Sequence, residues 1–229
     1  MSEEKKLQHL AIICDGNRTW AKALGKSPLE GHQEGAKAVI RLAEAASEMK
    51  LPVLTVWVMG IDNFQRSKEE VSWLMKLARI YLKKTRKDLM KNNIKLRYFG
   101  LRGAPAPADI VKLAEEIEEE TKNNTGTVLN VGFNYGGRVE LVEAFKKIKE
   151  KGLEITEENI SNNLWTAGLP DPDLILRPGK QQRLSGFMPW QSEYSEFYFP
   201  EYYFPDMDGE KLKEAVDEFN KRFRKFGKI

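Results

Sequence analysis

Four short stretches of this 229-residue sequence carry side chains suited to a polyanionic ligand. The first is Asp15-Gly16-Asn17-Arg18, a turn that follows an apolar run. A carboxylate facing a diphosphate repels it unless a cation lies between them. Mg²⁺ typically binds through one or two carboxylates plus the phosphates of its ligand. An aspartate at this point also suits a plain helix N-cap, and the local pattern leaves both roles open. The second stretch holds Gly31-His32. A histidine beside phosphates can donate a hydrogen bond or a proton, although a lone histidine is more often structural. The third is Gly60-Ile-Asp-Asn63-Phe-Gln-Arg66, an amide and a guanidinium directly after a strand-like run. The fourth runs from Arg177 through Arg183 to Ser185. Arginine grips phosphate with two parallel hydrogen bonds, which lysine does not. Two guanidiniums and a hydroxyl suit a doubly charged diphosphate.

Something must bring these stretches together. Residues 8–14, 53–59, 94–99, 127–133 and 173–176 read as apolar strands, with 196–199 as a further candidate. Helical spacing appears over 33–49, 68–92, 107–123, 140–151, 156–165 and 209–226. Strands and helices alternate, and the strands are apolar without alternating polarity. That pattern predicts an α/β domain whose mostly parallel central sheet is flanked on both faces by helices. No linker or repeat divides the chain, so one domain is expected over 1–229. Ligands of such sheets bind beyond the carboxyl ends of the strands. The Asp15, Asn63–Arg66, Asn134–Arg138 and Arg177 segments all follow strands, so one shared rim is predicted.

Composition bounds the rest. The formal net charge is +3, with 41% hydrophobic and 31% charged residues. That balance does not predict nucleic-acid binding. The basic run Lys83, Lys84, Arg86 and Lys87 reads as a solvated helix face, or as peripheral contact with an anionic membrane. One cysteine, Cys14, excludes an internal disulfide and a cysteine-rich metal site. No signal-peptide pattern and no spanning apolar run is present, so a cytoplasmic location is expected.

The motifs also resemble a known family. His9 to Ala21, Gly31-His-Gln-Glu-Gly35, Leu54 to Arg66 with Glu70-Val71, Asn134 to Arg138, Thr166 to Asp173, and Arg177 to Glu196 match cis-prenyltransferases in order. The undecaprenyl diphosphate synthases belong to that family. The resemblance implies a hydrophobic tunnel within the fold, a homodimer and Mg²⁺. It also implies condensation of an allylic diphosphate with isopentenyl diphosphate to give cis double bonds. By motif position, Asp15 is the Mg²⁺-linked aspartate. Gly16, Asn17, Arg18, Trp20 and His32 surround the allylic diphosphate. Asn63 and Arg66 assist diphosphate departure and proton removal. Arg177, Arg183 and Ser185 clamp isopentenyl diphosphate, and Glu196 is a second acid near the metal that reaches toward the neighbouring subunit.

Several positions depart from the pattern. Gly60 replaces a serine whose hydroxyl is implicated in proton handling. Thr19 stands where Arg is usual, Pro28 where another Arg often occurs, Gln181 where an acid is usual and Gly186 where Asn is usual. These departures thin the allylic site and leave the isopentenyl clamp largely intact. They favour short or unusual products, including irregular head-to-middle coupling. Val58 and Trp73, if turned inward, would shorten the tunnel. A non-catalytic subunit of a heteromeric enzyme would usually have lost Asp15 and the Asn63–Arg66 loop, both of which survive.

Overall fold

The computed structural model describes residues 6–222. The chain runs β1 (His9–Ile13), α1 (Asn17–Ala23), α2 (Pro28–Glu48), β2 (Val53–Gly60), α3 (Lys68–Lys91), β3 (Lys95–Phe99) and α4 (Ala108–Thr121). It continues through β4 (Val128–Tyr135), α5 (Gly137–Glu150), α6 (Glu157–Ser161), β5 (Leu174–Leu176), β6 (Glu196–Tyr198) and α7 (Gly209–Asn220). The strands form one six-stranded sheet in the order β3-β4-β2-β1-β5-β6. Every pairing is parallel.

Alternate residues of each central strand feed different cores. Leu10 and Ile12 join Leu54, Val56 and Leu174 under α2 and α7. Ala11 and Ile13 join Tyr135, Ile175 and Phe187 on the other face. Both faces are covered, which is why the strands read as unbroken apolar runs.

Three helices depart furthest from their predicted spans. Helix α2 begins at Pro28, five positions before the predicted start at 33. A reciprocal Ser27–Glu30 capping box and a proline in the first turn start it. Its first three residues, Pro28, Leu29 and Glu30, are exposed, so the spacing of buried positions does not reveal them. Helix α6 spans only Glu157–Ser161, and the rest of the predicted 156–165 helix is turns. There the Trp165 N–H is drawn to the Glu140 carboxylate instead of continuing the helix. Helix α7 ends at Asn220; residues 223–226 of its predicted span lie outside the described residues.

Strand order fixes where a ligand binds. From β1 the chain moves to β2 on one side, while β5 pairs on the other side and leads outward to β6. The crevice between the ends of β1 and β5 is therefore a topological switch point.

Candidate active site

Asp15 follows β1 and Arg177 follows β5, so the two residues face each other across this crevice. The Arg177 guanidinium donates two hydrogen bonds to Asp15 Oδ2, at 3.1 and 2.8 Å. It also donates to Ser185 Oγ at 2.9 Å and to the carbonyl of Arg183. Arg177 is only 5% exposed. A buried guanidinium needs this many acceptors to offset its lost hydration. Asp15 Oδ1 accepts from the Gly16 N–H at 2.7 Å. Gly16 has φ 93°, a left-handed conformation that costs glycine nothing. Asp15 is thus a partly exposed carboxylate at the crevice and not the side-chain cap of α1, whose N-terminus has none.

Asn17 sits beneath this turn. Its Nδ2 donates to the Cys14 carbonyl at 3.0 Å, while its buried Oδ1 has no partner. A Cβ at Gly35 would stand 2.1 Å from that oxygen, so glycine there lets α2 close on the turn.

Across the crevice, α2 and α3 supply a second polar group. Glu70 Oε1 accepts from His32 Nε2 at 3.1 Å and from Arg66 at 3.0 Å. Burial alone would raise Glu70, but the His32 hydrogen bond and the charges of Arg66 and Arg18 hold it below the usual carboxylate value. An ionised Glu70 fixes the tautomer: His32 carries its proton on Nε2. Burial lowers His32 below its ordinary value, with Arg66 and Arg18 reinforcing this and Glu70 opposing it. Glu70 was visible only as part of the motif spacing. Its role as the hub of the cluster emerges from the fold.

Asn63 closes a 3-10 turn over Ile61–Gln65, and its Oδ1 accepts from the Gly60 N–H at 2.9 Å. A side chain at position 60 would start 3.0 Å from the Trp57 ring. Arg183 is exposed and donates to Gln181 at 2.6 Å. Glutamine keeps that hydrogen bond without cancelling the arginine's charge.

A cavity of about 200 Å³ opens beside Cys14, Asn17 and His32. It runs between α2 and α3 over the sheet, walled by Val39, Ile40, Ala43, Leu74, Leu77, Ala78, Leu82 and Phe133. Its lower end meets Thr85, Asp88 and Asn92. Val58 lines it; Trp73 does not, and lies under Lys76 instead. Of the two placements the sequence leaves open for Trp73, the structure shows the one away from the cavity. Burial pushes the Cys14 thiol well above its ordinary value, so it is not a reactive thiolate.

Two expected site residues stand apart. Trp20 donates to Asp206 at 2.6 Å, carries Lys26 over its ring, and does not line the cavity. Glu196 opens edge strand β6 in register with Leu174, which in turn pairs with Leu10. That is the opposite end of β1 from Asp15, and Glu196 is paired there with Arg222 at 2.9 Å. The two acids do not meet within one chain.

No group of three His, Cys, Asp or Glu side chains forms a metal cage among the described residues. The donor set at the crevice is one partly exposed carboxylate, Asp15, held by Arg177. This fits a hard cation such as Mg²⁺ that shares its coordination with a ligand's phosphates and water.

The last structural element of the site is its support. The buried Glu140 carboxylate accepts from Tyr135, Gln191 and the Trp165 N–H, and Tyr135 accepts from the Met188 N–H. These bonds tie the Arg183–Gln191 segment to β4 and α5.

A polar, arginine-rich rim stands over an apolar cavity at the switch point of a parallel sheet, an arrangement suited to an amphiphilic anion. The undecaprenyl diphosphate synthase family model matches residues 13–227, and the chain belongs to that family of prenyltransferases. It is 42% identical to an isoprenyl transferase of Fusobacterium nucleatum, over 97% of this chain and 96% of the relative. An isoprenyl transferase of Thermus thermophilus is 38% identical, over 96% of this chain and 89% of its own length. The crystal structure of lavandulyl diphosphate synthase from Lavandula x intermedia, in complex with dimethylallyl diphosphate, superposes with TM-score 0.93. It shares 34% identity, covering 99% of this chain and 100% of that one.

Proposed function

We propose that this prenyltransferase condenses an allylic diphosphate with isopentenyl diphosphate in the cis configuration. The observation that carries it is the apolar cavity opening directly beside Asn17 and His32. The allylic tail enters the cavity. Its diphosphate meets Gly16, Asn17, Arg18, His32 and Arg66, and isopentenyl diphosphate is gripped by Arg177, Arg183 and Ser185.

The chemistry follows from these placements. Arg18 and Arg66 stabilise negative charge as the allylic C–O bond breaks. The double bond of the second substrate attacks the electron-poor carbon, and a proton is then lost. The apolar walls keep water from that carbon. Asp15 would hold Mg²⁺, which when bound neutralises charge on the departing diphosphate. Glu196 lies on an edge strand, the place from which a carboxylate can reach a second subunit of a homodimer. The reading includes a cytoplasmic location.

A second reading has a specific observation in its favour. Gly60 offers no hydroxyl, and the Asn63 oxygen beside it is committed to the turn. Proton removal by the usual loop is thereby weakened, which favours irregular coupling or short products. The structural neighbour that holds dimethylallyl diphosphate supports a five-carbon allylic substrate here. Mass spectrometry of products from dimethylallyl, geranyl and farnesyl diphosphates, each with and without isopentenyl diphosphate, separates the two. Regular cis products only with isopentenyl diphosphate support the first reading. Products from dimethylallyl diphosphate alone support the second, and an absence of product in every mixture defeats both.

A further inference from the structure

Helix α3 sorts its basic residues by direction. Arg79 and Arg86 pair with Asp109 and Glu120 of α4. Lys76, Lys83, Lys84, Lys87 and Lys91 are exposed, and none has a carboxylate partner among the described residues. At 3.6 residues per turn, Lys76, Ile80, Lys83 and Lys87 fall on one narrow arc. Ile80 and Met90 add apolar surface, at 46% and 48% exposed. From Lys76 to Lys91 no exposed position is acidic, because Asp88 turns to the cavity. The inner face of the same turns is apolar, with Leu77, Leu82 and Leu89 lining the cavity. One helix therefore separates an apolar cavity from a basic outer surface.

We infer that the outer face of α3 docks on an anionic lipid bilayer. Lysines interleaved with aliphatic side chains suit the headgroup boundary, where ammonium groups meet lipid phosphates and Ile80 and Met90 reach the acyl region. A single-stranded nucleic acid would want exposed aromatics for stacking, and this arc has none. The choice of a bilayer also rests on the prenyl diphosphate reading, since an enzyme with lipid cargo gains from delivering it at a membrane.

The test is co-sedimentation of the full chain with phosphatidylcholine vesicles, plain or with about one-third phosphatidylglycerol. Binding is expected only to the anionic vesicles and should fall as salt rises. Lys83→Glu with Lys87→Glu should lower partitioning roughly tenfold or more. Lys146→Glu with Lys149→Glu on α5 makes the same change in net charge and should stay within about twofold of wild type. Lys83→Gln with Lys87→Gln replaces the first pair if charge reversal prevents folding. Equal binding to both vesicle types or equal losses in the α5 control would overturn the inference. So would RNA displacing the vesicles. Turnover of soluble substrates without vesicles is scored separately. Vesicle binding by an inactive protein would sink the catalytic reading and leave the docking surface standing.

Discussion

Asp15 and His32 answer to different measurements. Asp15 is a partly exposed carboxylate paired with the buried Arg177 at the crevice. Asp15→Ala should cut turnover by roughly 10²–10³-fold, the size seen when a transition-state charge partner is removed. It should leave the circular dichroism spectrum intact, and near-normal activity would remove Asp15 from the mechanism. His32 is held neutral by burial and by two arginines. A bound diphosphate brings negative charge to the same rim and must raise its pKa. The chain has two histidines, and burial takes the other, His9, down to about 4, so their NMR titrations are separable. Pyrophosphate should move the His32 midpoint upward and leave that of His9 in place. A His32 midpoint indifferent to pyrophosphate would mean that the diphosphate sits elsewhere.

At the scale of elements, α2, α3 and the sheet set the cavity's width. Val58 projects from β2 into it, and Trp73 packs outside it. Val58→Ala should shift products toward longer chains, while Trp73→Ala should leave chain length unchanged. Mass spectrometry of the products reads both, and the reverse pattern would contradict the cavity wall described above. Sequence alone could locate β1, β2, α3 and the post-strand motifs, because apolar runs and helical spacing report burial directly. It could not locate the start of α2, which depends on a cap and not on apolar spacing. Nor could it rank Trp73, since two aromatic placements on one amphipathic helix have the same spacing. Trp20 and Glu196 share the motif pattern, yet one is turned to Asp206 and the other lies at the far end of the sheet. Motif matching orders residues along the chain but does not measure their separation in space.

At the scale of the whole molecule, a polar ladder crosses the centre of the sheet. His9 of β1 contacts Thr55 of β2 at 2.7 Å and the Pro170 carbonyl at 2.6 Å, and Asn130 of β4 donates to Thr55. Nδ1 faces a carbonyl and so carries the proton, which leaves Nε2 to accept from Thr55. Protonating the ring would bring a buried charge and reverse the Thr55 bond. Burial lowers His9 from 6.5 to about 4. Between those values the unfolded chain binds a proton that the folded chain refuses. His9's contribution to stability is therefore full above pH 6.5 and declines as pH falls toward 4. The urea midpoint of His9→Gln should fall less steeply over that window than the wild type, by about one proton. Identical slopes would mean that His9 does not govern the acid limb.

Under the proposed function, the Asp15–Arg177 pair would divide the labour of binding between arrival and retention. The buried guanidinium is already neutralised by its carboxylate, so it sends little field into solvent. The exposed Arg18 and Arg183 must supply the long-range pull on an anionic substrate, and their loss should slow association in a salt-dependent way. Under the proposed function, Arg177 would act only after contact, when the incoming phosphates take over as its acceptors. Its loss should show in the lifetime of the complex, with the encounter rate nearly unchanged.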